Sequence, residues 1–284
     1  MPTSDGTGGR VAGDPPVVVI TGATGGLGAA IATACAERGF PLALVARTRP
    51  ALERLAAALP TRPGVPVTPV CADVSDMAAA ADAMRRIHAE LGRIDVLVDN
   101  AGVEGPIGLT WEIPVEQWWE AVRVNTLSTI ATVHAVLPLM IGQGGGRVIS
   151  ISSAAGRHRW PTLSSYSVAK AAGITFIENI ASEARPHDVL AFSLHPGIVA
   201  TGLTLSALDE IDSADPWRRR RARWIREQIE AGRSVPLPRA VDALLGLATG
   251  PAAALSGRYL TVEDVHAAVG PPPTERAEEP VRQG

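Results

Sequence analysis

Short apolar runs alternate with amphipathic helical stretches from residue 17 to about residue 262, and this alternation constrains the fold more than any other feature. The runs are Val17–Ile20, Leu42–Ala46, Val67–Cys71, Val96–Val98, Val148–Ile151, Val189–Leu194 and a last one near Tyr259–Val262. Between them, helical patterns cover Leu27–Arg38, Ala51–Leu59, Met77–Leu91, Val115–Ile141, Ser164–Ala184 and Arg239–Ala248. Short runs that are apolar throughout suit strands covered on both faces. Strand followed by helix followed by strand builds parallel pairing. The expected fold is therefore α/β: a doubly wound, mainly parallel, seven-stranded sheet with helices on both faces.

The first run leads directly into Thr21-Gly-Ala-Thr-Gly-Gly-Leu-Gly28. Strand, glycine-rich turn and helix in that order form a setting in which backbone amides and a helix N-terminus hold a pyrophosphate. Gly22, Gly26 and Gly28 give the spacing T-G-x-x-x-G-x-G. It matches neither G-x-G-x-x-G nor a P-loop. A glycine-rich turn can be only a turn, but the strand before it and the amphipathic helix after it favour dinucleotide binding.

One lysine, Lys170, stands among 26 basic residues, four positions after Tyr166, one of two tyrosines. At i and i+4 on a helix the two share a face. An ammonium is a compact point charge, unlike the planar guanidinium fork. Beside a phenol it favours the phenolate and lowers a pKa ordinarily near 10, which suits the tyrosine to general acid–base work. Taken alone, the pair is matched equally well by an accident of the surface.

Composition narrows the function further. A 284-residue chain with 46% hydrophobic and 19% charged residues suits one large domain with a substantial core. The formal charge of −3 offers no basic footprint, so no nucleic-acid partner is expected. No stretch reads as long and apolar enough to span a bilayer, and the polar, glycine-rich N-terminus carries no apolar signal segment, so no membrane association is expected. Cys35 and Cys71 lack metal-ligand spacing; they read as reduced core thiols in a cytoplasmic protein, and no metal site is expected. Residues 1–15 and 268–284 read as disordered tails, leaving one domain over 16–267.

In order and context, these motifs resemble the short-chain dehydrogenase/reductase family in its single-domain, Rossmann-type form, over roughly residues 17–262. The family's glycine motif is matched at Gly22, Gly26 and Gly28, with Thr21 before it and Leu27 within it. Its Asn-Asn-Ala-Gly element is matched by Asp99, Asn100, Ala101 and Gly102, with aspartate in the first place. Asn125 matches its structural asparagine, Ser153 its serine, and Tyr166 and Lys170 its Tyr-x-x-x-Lys. Pro196 and Gly197, followed by Val199 and Thr201, match the element after the sixth strand. The resemblance implies that Tyr166 exchanges a proton with the substrate oxygen and that Ser153 hydrogen-bonds that oxygen. It implies that Lys170 binds the nicotinamide ribose and biases Tyr166 towards phenolate, while Asn125 anchors a water in a proton relay. Pro196, Gly197 and Thr201 would meet the carboxamide end of the nicotinamide.

The resemblance also bears on the cofactor. In this fold an acid at the end of the second strand binds the NAD ribose, whereas arginine accommodates the 2′-phosphate of NADP. Here that strand ends in Ala46-Arg47-Thr48-Arg49 with no carboxylate. NADP(H) is therefore expected in preference to NAD(H), with Arg47 on the phosphate and Thr48 or Arg49 in support. Asp73 and Val74 would meet the adenine.

Between Ser153 and Tyr166, His158 reads as a solvated loop residue rather than a second proton donor. Trp160 lines the pocket or packs beneath it. Residues 202–235 correspond to the variable substrate lid. Its run Arg218–Arg221 with Arg223 and Arg226 could mark an anionic substrate, but it more readily neutralises the acids Asp209, Glu210, Asp212 and Asp215 beside it. Trp111, Trp118 and Trp119 read as packing or subunit contacts. The leading expectation is a reductase acting on a small-molecule carbonyl or secondary alcohol, working as a homodimer or homotetramer built on the two long helices. A redox-neutral isomerase or dehydratase, or a non-catalytic dinucleotide-binding regulator, would use the same scaffold.

Overall fold

The structure, a computed structural model, describes residues 14–270. Seven strands form one sheet in the order β3-β2-β1-β4-β5-β6-β7. They are β1 (Val18–Thr21), β2 (Leu42–Ala46), β3 (Val67–Cys71), β4 (Val96–Asp99), β5 (Gly146–Ile151), β6 (Val189–His195) and β7 (Tyr259–Thr261). Every pairing is parallel, as crossover connections require. Pro69, which cannot donate to a ladder, sits in the edge strand β3.

Helices cover both faces. One apolar layer joins α1 (Gly26–Glu37), α2 (Arg49–Ala58), α8 (Leu237–Thr249) and α9 (Val262–Val269) to the sheet. The other joins α3 (Met77–Leu91), α4 (Val115–Gly142) and α5 (Ser164–Glu183). The central strands β1, β2 and β4 are buried along their whole lengths because both layers press on them. The ends of α3 are set locally. Asp76 accepts hydrogen bonds from the amides of Ala78 and Ala79, and Gly92 closes the helix at φ 77°.

Two expectations need correction. The 28-residue α4 is by length and composition apolar enough to cross a membrane. Some 44% of its most apolar stretch is buried inside the fold, and its buried side chains belong to the layer shared with α3 and α5. The C-terminal boundary also moves, since α9 runs to Val269, past the expected domain end at 267. Thr261 and Asp264 form a reciprocal capping box that starts this helix directly from β7. The remaining tail positions, 1–13 and 271–284, lie outside the described residues. The segment expected to form a lid, 202–235, holds two helices, α6 (Gly202–Leu208) and α7 (Pro216–Glu230), the second capped by Asp215.

Candidate active site

The strand order reverses between β1 and β4, and a doubly wound sheet opens a crevice at the carboxyl ends of the strands there. A cleft of about 810 Å³ occupies this place. It runs from Arg47, Thr48, Asp73 and Val74 across Gly22, Gly26, Leu27 and the Asn100–Gly102 turn. It continues past Asn125, Ser153, Tyr166 and Lys170 to Pro196, Gly197, Val199 and Thr201. The residues nominated from the sequence thus converge on one surface, with three exceptions. Thr21 is fully buried, and its hydroxyl accepts the amides of Asn100 and Ala101, each at 3.0 Å. It ties β1 to the turn after β4 and does not line the cleft. Gly28 lies behind the glycine turn, where a Cβ would come within 2.5 Å of the Gly22 carbonyl oxygen. Arg49 is exposed and pairs with Glu53 at 3.8 Å, on α2.

The floor of the cleft is made by close backbone approach. Gly22 has φ 60°, and a Cβ there would stand 2.9 Å from the Ala101 Cα. Asn100 donates from its side-chain amide to the carbonyls of Thr21 and Gly22. Helix α1 starts at this turn without a side-chain cap and with no acid in its first turn. Uncapped amides and the positive end of the helix dipole suit an anion. Cleft size, cleft position and donor set together fit a dinucleotide.

Ser153 caps a short 3-10 turn, Ala154–Gly156, its hydroxyl accepting the Ala155 amide at 3.2 Å. A Cβ on Gly156 would lie 2.8 Å from the Lys170 carbonyl carbon and 3.0 Å from the Ala171 nitrogen. The turn bearing Ser153 therefore rests directly on the backbone of α5, which carries Tyr166 and Lys170. The Lys170 ammonium donates to the Ile151 carbonyl at 2.8 Å and stands 5.7 Å from the centre of the Tyr166 ring. Two of its three N–H groups stay free for other partners.

Asn125 is buried, and its side-chain amide is fully spent on backbone. It donates to the carbonyls of Val103 and Ala121 and accepts the Val103 amide at 3.0 Å. The side chain pins the loop after β4 to the middle of α4. Asp99, the unusual residue of its motif, is a buried hub. Its carboxylate accepts from Thr129 at 2.7 Å, Ser150 at 2.9 Å and Thr132 at 3.4 Å. Burial raises the Asp99 pKa and outweighs those hydroxyls and the nearby Lys170 charge, which act to lower it.

At the other end, burial works to raise the Asp73 pKa. Hydrogen bonds from Ser75 and the charges of Arg47 and Arg123 prevail and hold it below its ordinary value. His158 is exposed and away from the cleft, whereas Trp160 lines it and meets Trp224 of α7 edge-on at 4.9 Å. Of the lid arginines, Arg218, Arg219, Arg221 and Arg226 find partners within the chain. Trp118 donates to the Ser164 hydroxyl, while Trp111 and Trp119 are exposed. Sequence reasoning missed Glu104, Arg221, Arg233 and His195 as lining residues. For His195, its position directly before Pro196 was the available signal. The lid arginines carried none beyond their number.

These features define a doubly wound protein with a dinucleotide-sized cleft and a Ser-Tyr-Lys group at one end of it. The chain belongs to the short chain dehydrogenase family, whose model matches residues 16–211. It is 35% identical over 187 residues to a short chain dehydrogenase of Pseudocercospora fijiensis, a match covering 65% of this chain and 60% of that one. It is 33% identical over 189 residues to a 2-dehydro-3-deoxy-L-rhamnonate dehydrogenase (NAD(+)) of Sphingomonas, covering 66% and 73%. The matched stretch thus spans between three-fifths and three-quarters of these relatives' lengths. Among solved structures it resembles levodione reductase, with a TM-score of 0.80 and 26% identity over 89% of this chain and 97% of that one.

Proposed function

We propose that the protein is an oxidoreductase that interconverts a carbonyl compound and its secondary alcohol with NADP(H). The convergence of Ser153, Tyr166 and Lys170 at one end of a dinucleotide-sized cleft carries this reading. A bound nicotinamide supplies or accepts the hydride. In the reducing direction the Tyr166 hydroxyl gives its proton to the substrate oxygen as negative charge develops there. The Ser153 hydroxyl donates to the same oxygen. Lys170, one N–H on Ile151, offers the other two to the ribose and to the Tyr166 side. Gly22, Gly26, Leu27 and the start of α1 would hold the pyrophosphate, and Pro196, Gly197, Val199 and Thr201 the nicotinamide. Asn125 positions the loop beside them.

NADP rests on Arg47, an exposed base directly after β2 with no acid beside it in the sequence, although Asp73 lies within reach of its charge and one relative is named for NAD(+). Arg47→Asp should shift the ratio of kcat/KM values from NADPH towards NADH by about tenfold or more; an unchanged ratio removes Arg47 from this role. Loss of NADPH absorbance with a panel of ketones tests the reaction itself. Tight NADPH binding without turnover of any ketone would favour a redox-neutral reaction at the same site.

A cytoplasmic homodimer or homotetramer belongs to the same reading, supported by the 80% and 59% exposure of Trp111 and Trp119 near the start of α4. Light scattering on the purified protein would refute assembly by returning a monomer at every concentration.

A further inference from the structure

The substrate end of the cleft holds a guanidinium, which at first sight invites an anionic substrate. Its surroundings argue the reverse. Arg221 of α7 has a side chain only 10% exposed and forms an ion pair with Glu104, in the loop after β4 that Asn125 pins through Val103. A second carboxylate, Glu210 in the link between α6 and α7, lies 3.5 Å from the other arm of the same guanidinium. Arg218 pairs with Glu210 in turn and lies 3.8 Å from Asp215. The cluster therefore has no surplus positive charge. Trp160, Leu163, Trp224 and Ile225 make the adjoining wall apolar. Arg233, the other lid arginine at the cleft, is exposed and donates to Gln228, where solvent screens its charge.

We propose that the Glu104–Arg221 pair makes the compartment beyond Tyr166 selective for neutral, largely apolar carbonyl compounds and hostile to those carrying a carboxylate there. The inference rests on the carbonyl-reductase reading and deepens it. A substrate carboxylate entering this compartment finds Arg221 already paired, with only the solvent-screened Arg233 and the Lys170 beside Tyr166 not ion-paired among the described residues there, and it meets Glu104, a like charge in a low-dielectric site. Removing the Glu104 charge alone leaves a half-neutralised guanidinium that needs a new anionic partner. The pair also joins the lid to the loop after β4, so the same contact that sets charge preference closes the roof.

Burial pushes the Glu104 carboxyl up to about 7, with Glu210 adding to the rise and Arg221 and Arg218 opposing it. Acidification through that value protonates Glu104 and should mimic its removal. Other ionisable groups at this end are Tyr166 and Lys170 of α5, His195 at the end of β6 with His158 acting on its charge, and Arg233 after α7.

The test uses 4-methylcyclohexanone and 4-oxocyclohexanecarboxylate, titrated against the protein saturated with NADP+, with intrinsic tryptophan fluorescence, to which the cleft residues Trp160 and Trp224 contribute, as the readout. At about pH 8 the neutral ketone should bind at least about tenfold more tightly, and Glu104→Gln should shift the affinity ratio towards the carboxylate by about tenfold. In the unaltered protein, lowering the pH to about 6 should tighten carboxylate binding severalfold, a gain that Glu104→Gln should lack. Titration of His195 is common to both proteins and cancels in that comparison. A ratio unmoved by the substitution, a pH trend that persists without Glu104, or no tryptophan response to either ketone in either protein overturns the inference. Turnover with NADPH is followed in parallel. Selective binding without turnover sinks the reductase reading and leaves the charge selection standing.

Discussion

The floor and the roof of the cleft are made by opposite means. The floor comes from the ends of β1, β4, β5 and β6, locked together by backbone contact and short hydrogen bonds: Thr21 on the Asn100 and Ala101 amides, Asn125 on Val103, Lys170 on Ile151. The roof, α6 and α7, is held by side chains reaching over distance, in the Arg221–Glu104 and Arg218–Glu210 pairs and the Trp160–Trp224 contact. The family model covers the floor and α6 and stops at residue 211, before α7 begins. A floor whose side chains bond to the main chain keeps its geometry wherever those few residues are kept, whereas a roof built from side-chain pairs can be re-specified one pair at a time. Shared chemistry thus sits below and private specificity above.

If this division holds, damage to the floor should be severe and damage to the roof mild. The largest effect is expected from Tyr166→Phe, which should lower kcat by about 10²–10⁴-fold while the NADPH dissociation constant stays within a factor of about two. Steady-state rates and a fluorescence titration measure the two, and a fully active variant would remove Tyr166 from the proton transfer. Next comes Gly156→Val, which forces side-chain bulk against the α5 backbone and should cost about 1–3 kcal/mol in urea unfolding, with turnover falling alongside. A variant of unchanged stability would mean that the turn does not bear on α5.

Asp99→Asn gives a subtler signature, in pH. Because the folded state raises the Asp99 pKa, its contribution favours folding below the ordinary carboxyl value of about 4 and is lost as pH rises through the folded value. The stability of the unaltered protein relative to the variant should therefore fall as pH rises from acid to neutral. Urea midpoints across that range would show it, and a constant difference would mean the Asp99 pKa is not raised. Smallest of all should be Arg218→Ala in the roof. Its pairs are part-exposed, so unfolding free energy should change by less than about 1 kcal/mol. A larger loss would show the roof to be as integral as the floor.

The floor was legible in the sequence because its parts are local. Leu42–Ala46 announces its strand by unbroken apolar character, and Met77–Leu91 is bracketed by its own cap residues. The glycine turn, Tyr166 and Lys170 each fall within a few residues of their partners in function. Thr21 misled because its neighbours line the cleft while its own side chain turns inward to β4. The seven-residue α6 is too short to show a helical period, and α9 hid behind β7, with Thr261 ending one element and capping the next. Glu104 and Arg221 were invisible as a pair, since no spacing rule links a loop after β4 to a helix more than a hundred positions later. Asp99 was seen as a substitution in its motif. The three hydroxyls that surround it come from β5 and α4, and only folding assembles them.

The missing side chain at Gly156 has one more consequence. With the Ser153 turn seated flush on α5, the two hydroxyls that would face the substrate oxygen ride on a single rigid body. Their mutual spacing is set by a main-chain contact with no side chain between the turn and the helix. The alignment is a property of the joint rather than of the resting pose.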